Sequence, residues 1–145
     1  MTAKDLYDHD FFEWTQCNAA LLRESRFDHA DIEHIAEEIE DIGKRLRHEL
    51  ENQTRVLLAH LLKGRLQPER RSRSWTATIR VQRDEVLRLL RMMPSLRRRL
   101  RELLPEIYHI AAKEAISESD LPDEGFPATC LFTVDQILGE TFFPG

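Results

Sequence analysis

The chain has 145 residues, 41% of them hydrophobic and 32% charged, with a formal net charge of −5. That length supplies enough apolar material for one helical domain of 1–145 with its own core, and five Gly, six Pro and two Cys exclude a collagen, a turn-rich β fold and a disulfide scaffold. Charge is segregated along the chain: residues 1–43 carry −9, residues 44–101 carry +12 and residues 102–145 carry −8, with seventeen Arg against four Lys.

Apolar residues recur at helical spacing throughout, and no stretch alternates with period two. A first helix is predicted from about Asp8 through Phe11, Phe12, Trp14 and Leu21-Leu22 to Ser25. The second stretch is the clearest: Ile32, Ile35, Ile39, Ile42, Leu46 and Leu50 follow steps of 3, 4, 3, 4 and 4, with Asp31, Glu33, Glu37 and Glu38 filling the first turns, where the helix dipole favours acids. Unbroken from there to Lys63, this helix is about 50 Å long, against a radius of gyration of roughly 15 Å for a compact chain of this size. It is therefore expected either to bend near Gly43 or to pack partly on another subunit. Gln67-Pro68-Glu69 marks a break. Ser72 or Ser74 then caps a third helix carrying Trp75, Ile79, Val86, Leu89, Leu90 and Met93. Pro94-Ser95 separates it from a fourth, with Leu96, Leu100, Leu103, Ile107 and Ile110 on one side and Pro105 expected to kink or divide it. An acidic loop follows over 117–129. Thr133 to Gln136 has capping-box spacing and opens a short final helix, and Phe142, Phe143 and Pro144 form a tail expected to dock on the rest. The fold class is all-α: a helical bundle of four or more helices, with a long or bent second helix and a short C-terminal one.

With Ile35 and Ile39 facing a core, His60 returns to the same direction at 100° per residue, near Gln53 and Glu49. As a functional group it is a general base or metal ligand; the plainer reading is a buried imidazole bonded to Gln53 or Glu49. The run Gln67-Pro68-Glu69-Arg70-Arg71-Ser72-Arg73-Ser74-Trp75 is the most specific local text, a loop-to-helix junction with three guanidiniums, two hydroxyls and an indole. Backbone N–H groups at a helix start and Arg forks suit a phosphate or carboxylate; the same Arg residues suit pairing with the acidic face at Glu37, Glu38 and Glu40. The resulting candidate polar or anion site is Glu38, Arg55, His60, Arg70, Arg71, Arg73 and Trp75.

Arg80, Arg83, Arg88, Arg91, Arg97, Arg98, Arg99 and Arg101 suit a nucleic-acid stripe. Trp75 is the one aromatic residue between 44 and 101, however, and no nucleic-acid motif accompanies it, so this reading comes second. A metal-dependent enzyme is the third reading, resting on Glu106-Ile107-Tyr108-His109, on Asp31-Ile32-Glu33-His34 and on Glu38. No P-loop, nucleophile elbow or dinucleotide fingerprint is present. No cofactor is implied, no apolar run is long enough to cross a membrane, and no signal peptide is visible. Cys17 and Cys130 read as free thiols of a cytoplasmic protein.

The stretches Ile35-Ala36-Glu37-Glu38-Ile39-Glu40, Val56 to Lys63 and Gln67 to Trp75, together with Tyr7-Asp8, Asp10-Phe11, Trp14 and Phe126-Pro127, resemble the bacterial domain-of-unknown-function family twenty-nine. The resemblance covers nearly the whole chain and implies a small, mostly helical bacterial protein, without an activity to carry over. Gly64 departs from it, since an aromatic is expected after the Lys. The leading functional expectation is an interaction or regulatory module that self-associates or binds a protein partner.

Overall fold

Short polar side chains start most of the helices, and they do so by taking up backbone N–H groups that a first turn leaves without partners. In the computed structural model, which describes residues 1–119 and 126–144, six α-helices are present and no strand is found among the described residues. They are α1 (Ala3–His9), α2 (Phe11–Arg23), α3 (Ile32–Leu66), α4 (Arg73–Met92), α5 (Leu96–Ser117) and α6 (Val134–Leu138), with a 3-10 turn over Pro68–Arg70. About three quarters of the described residues, 76%, are helical. No helix is long and apolar enough to cross a membrane among the described residues.

The predicted first helix is in fact two. Asp10 takes an extended φ of −154° and its carboxylate accepts from the Glu13 amide, so it ends α1 and caps α2. Thr2 and Asp5 close a capping box on α1, upstream of the expected start. The long second helix is continuous through Gly43, as 35 residues spanning about 50 Å. Pro105 does not divide α5 either; it stands at an exposed position inside an unbroken helix. Residues 120–125 of the expected acidic loop lie outside the described residues.

The chain forms two compact units, Met1–Leu46 and Arg47–Gly145. In the first, a polar knot ties α1 and α2 to the start of α3. The buried Asp31 carboxylate accepts from the Trp14 indole at 2.9 Å and bonds His34 Nδ1 at 2.7 Å, while Asn18 accepts from the Asp31 amide at 2.8 Å and donates to the Trp14 carbonyl at 2.9 Å. Burial alone would raise the Asp31 pKa; the bonds from Trp14 and His34 outweigh it and hold the carboxyl below its ordinary value. The Tyr7 ring stacks on His34 at 3.8 Å, and its hydroxyl donates to Glu38 Oε1 at 2.7 Å, which pushes the phenol up to about 12. These contacts lie on the side of α3 that carries residues 31, 34 and 38. The aliphatic seam expected in a core is therefore left outside: Ile32 is 49% exposed, Ile39 64% and Ile42 49%.

In the second unit the C-terminal half of α3 buries Leu50, Leu57, Leu58, Leu61 and Leu62 among Ile79, Val86 and Leu89 of α4 and Leu100, Ile107 and Ala111 of α5. Each fully buried Leu or Ile contributes about 1.5–3 kcal/mol of transfer free energy. On α5 the buried positions are Leu100, Leu104, Ile107, Tyr108, Ala111, Ala112 and Ala115, while Ile110 faces out. The predicted seam holds at Leu100 and Ile107, and burial moves one residue on at Leu104 and Ala111. Arg55 pairs with Glu114, Lys63 with Glu118 and Arg97 with Asp135, so the basic middle block is tied to the acidic C-terminal block.

Candidate functional site

The site grows from the turn between α3 and α4. Pro68 cannot continue α3, the 3-10 turn reverses the chain, and Ser72, with an extended backbone, caps α4 by accepting from the Trp75 amide at 3.0 Å. The Trp75 side chain then lies back across Gly64 of α3 and donates from Nε1 to the His60 carbonyl at 2.8 Å. Gly64 is required by that approach, because a Cβ there would fall on Cζ2, Cε2 and Cη2 of the indole. This accounts for the small residue where the family resemblance leads one to expect an aromatic.

Arg71 stacks on the indole with Cζ 5.0 Å from the ring centroid, donates from Nε to the Gly64 carbonyl at 2.7 Å, and reaches the Pro144 carbonyl through Nη2. Its partners are main-chain oxygens, in place of the expected carboxylates of Glu37, Glu38 and Glu40. Arg83, expected on a nucleic-acid stripe, is instead 1% exposed. It donates to the carbonyls of Ile137 at 2.8 Å, Glu140 at 3.3 Å and Phe142 at 2.7 Å. Desolvation lowers its pKa, against the pull of Asp84 and Glu140. The two arginines clamp the C-terminal tail so that the Phe143 ring lies 6.0 Å from Trp75, under the guanidinium of Arg80.

The result is a groove of about 730 Å³ lined by Arg71, Ser72, Arg73, Trp75, Thr76, Ala77, Arg80 and Phe143. Three of these residues are cationic and none is acidic. The first turn of α4 carries Arg73 and no acid, the reverse of what the positive end of a helix dipole favours. Arg73 and Arg80 are exposed and have no ion-pair partner among the described residues.

The other expected site residues are dispersed. Glu38 accepts from Tyr7 in the first unit. Arg55 pairs with Glu114 beside a smaller cavity of about 300 Å³ that Glu51, Glu106 and Ile107 also line. Arg70 is exposed at the end of the 3-10 turn. His60 is half-buried rather than buried: its carbonyl holds the indole, and its imidazole bonds neither Gln53 nor Glu49 among the described residues. Burial, aided by the nearby Lys63 charge, pushes its pKa below the ordinary value. The metal candidates do not converge. His34 bonds Asp31, His109 is exposed, and no three His, Cys, Asp or Glu among the described residues stand close enough to hold an ion. Thr76, Ala77, Arg80 and Phe143 complete the groove beyond the Gln67–Trp75 run; Arg80 was expected on the nucleic-acid stripe and Phe143 in the docking tail. Arg73, Ala77 and Arg80, at steps of 4 and 3, share a face of α4; the aromatic tail was expected to dock, but its seat against Trp75 was not legible.

Fold and groove together define an all-α helical module with an arginine-rich, aromatic-walled groove. The chain belongs to the family described as domain of unknown function DUF29, whose model matches residues 6–143. Comparison with curated proteins and with solved structures returns no match.

Proposed function

We propose that the protein is a cytoplasmic interaction or regulatory module whose groove at the start of α4 recognises an anionic group, a carboxylate or phosphate, carried on a flat apolar body. The observation that carries this reading is the lining: Arg73 and Arg80 face a cavity without an acid, at a helix start that has cations where acids are favoured. Such a cluster repels itself until an anion enters, and Trp75 and Phe143 supply faces on which a planar group stacks. Arg71 is already held by the Gly64 and Pro144 carbonyls, so it acts as a preorganised wall. The long arginine stripe that would suit nucleic acid is interrupted, which favours a local anion site. Arg83 is buried, Arg88 pairs with Glu85 at 3.0 Å, and Arg98 pairs with Glu102 at 3.3 Å.

Calorimetric titration with phenyl phosphate, benzoate and inorganic phosphate tests the reading. Phenyl phosphate is expected to bind with a dissociation constant on the order of 0.1 mM, and inorganic phosphate about tenfold more weakly. The Arg73→Gln/Arg80→Gln variant, altered only at exposed positions, is expected to lose about tenfold more. Heats indistinguishable from dilution for all three probes, or equal binding by the variant, would overturn it.

A further inference from the structure

The N-terminal half of α3 carries a second surface, in the first unit. Ile32, Ile35, Ile39, Ile42 and Leu46 occupy successive a and d positions of a heptad, and Ile32, Ile39 and Ile42 are largely exposed in the folded chain. Isolated exposed aliphatics are ordinary, but a seam of them at coiled-coil spacing on one helix is a docking face.

The charges flanking the seam identify what docks there. Glu37, Glu38 and Glu40 recur seven residues later, at the same heptad positions, as Lys44, Arg45 and Arg47. Glu37, Glu40, Lys44 and Arg45 have no ion-pair partner among the described residues, Glu38 uses Oε1 to accept from Tyr7, and Arg47 reaches Glu51 at 3.5 Å. Glu38 and Arg45, seven residues or about 10.5 Å apart along the axis, are too far apart to pair within one helix, and of the two sets only Glu40 and Lys44 stand at pairing distance in the same helix. We infer that this half of α3 pairs antiparallel with the same segment of a second copy of the chain. Antiparallel packing across a twofold axis sets Ile39 against Ile42 of the second copy and Ile35 against its Leu46, and it brings the two g positions together, so that Glu38 meets Arg45 twice. A parallel pair would instead place Glu38 opposite Gly43 and leave the charges unused. The e positions on the other flank are Ala36 and Gly43, and a Cβ at Gly43 meets nothing within 4 Å of its own chain. Two small residues seven apart let antiparallel helices approach closely at that edge. Acidic and basic sets on one helix make a self-complementary surface, as a symmetric dimer requires.

Sedimentation equilibrium of the full chain is expected to show a reversible monomer–dimer equilibrium with a dissociation constant on the order of 10 μM, in keeping with a short interface. Ile39→Lys, at an exposed position, is expected to leave the helical circular dichroism and phenyl phosphate binding unchanged and to yield a monomer. Arg45→Glu is expected to weaken the dimer about tenfold. Orientation is read in a Cys17→Ser/Cys130→Ser background: Ala36→Cys mixed with Gly43→Cys is expected to cross-link through a short bis-maleimide, and neither variant with itself. A monomer throughout the micromolar range, a dimer indifferent to Ile39→Lys, self-cross-linking of each single-cysteine variant, or a monomer that uses this face to bind lipid vesicles would each overturn the inference.

Discussion

Gly64 and Trp75 show how one residue's smallness decides the site. The indole occupies the space a side chain at 64 would need, and its Nε1 bond to His60 leaves it little freedom to retreat. Gly64→Ala is therefore expected to destabilise the protein by about 1–3 kcal/mol despite its better helix propensity, as a lower urea midpoint at unchanged m. Because Arg71 rides on the same ring, near-ultraviolet circular dichroism of the indole should change with it. The sequence offered Ser72 or Ser74 as the cap and marked the Gln67–Trp75 junction, and the structure selects Ser72. It did not announce that the arginine is held by carbonyls, since a side chain's partners depend on which main chain folds next to it.

Among the elements, the C-terminal segment depends most on one contact. The run from Ile137 to Phe142 presents three carbonyls to Arg83, and a guanidinium is the side chain whose fork matches such a set. Arg83→Met keeps the stem and removes the donors, leaving buried carbonyls without partners. Destabilisation on the order of 3 kcal/mol is expected, with hydrogen exchange over 137–144 accelerating before that of α4. The steps from Ile79 through Arg83 and Val86 to Leu90 put Arg83 on the apolar face of α4, an anomaly the sequence displays, but its charge grouped it with the arginines of a phosphate-binding stripe. The split of the first helix at Asp10 escaped for a related reason: the cap competes with a continuous apolar pattern and wins locally.

For the molecule as a whole, the pH response follows from the half-buried His60. Its folded pKa lies below its ordinary value of 6.5 through desolvation first and Lys63 second. The unfolded chain therefore takes up the proton more readily, so this contribution to stability is complete above about 6.5 and is lost as pH falls through the window just below it. Urea midpoints measured from pH 7.5 to 5 are expected to fall in the wild type and to fall less in His60→Gln. At this scale the charge blocks also find their meaning. The basic middle is tied to the acidic C-terminal block by Arg55–Glu114, Lys63–Glu118 and Arg97–Asp135, whereas the charges along the first half of α3 remain largely unmatched.

The helical class, the capping signals at Ser72 and Thr133, the length of α3 and the alternation of charge were determined by sequence alone, because each rests on spacing or on contacts a few residues apart. Tertiary structure alone decided which side of α3 is covered, that Ile39 faces outward, that Arg83 is interior, and that Phe143 closes the groove. Periodicity defines an apolar stripe on a helix. What that stripe packs against is set by elements far along the chain, and here the pair α1–α2 settles on the polar side at Asp31, His34 and Glu38, where buried hydrogen bonds hold it, and leaves the aliphatic side free.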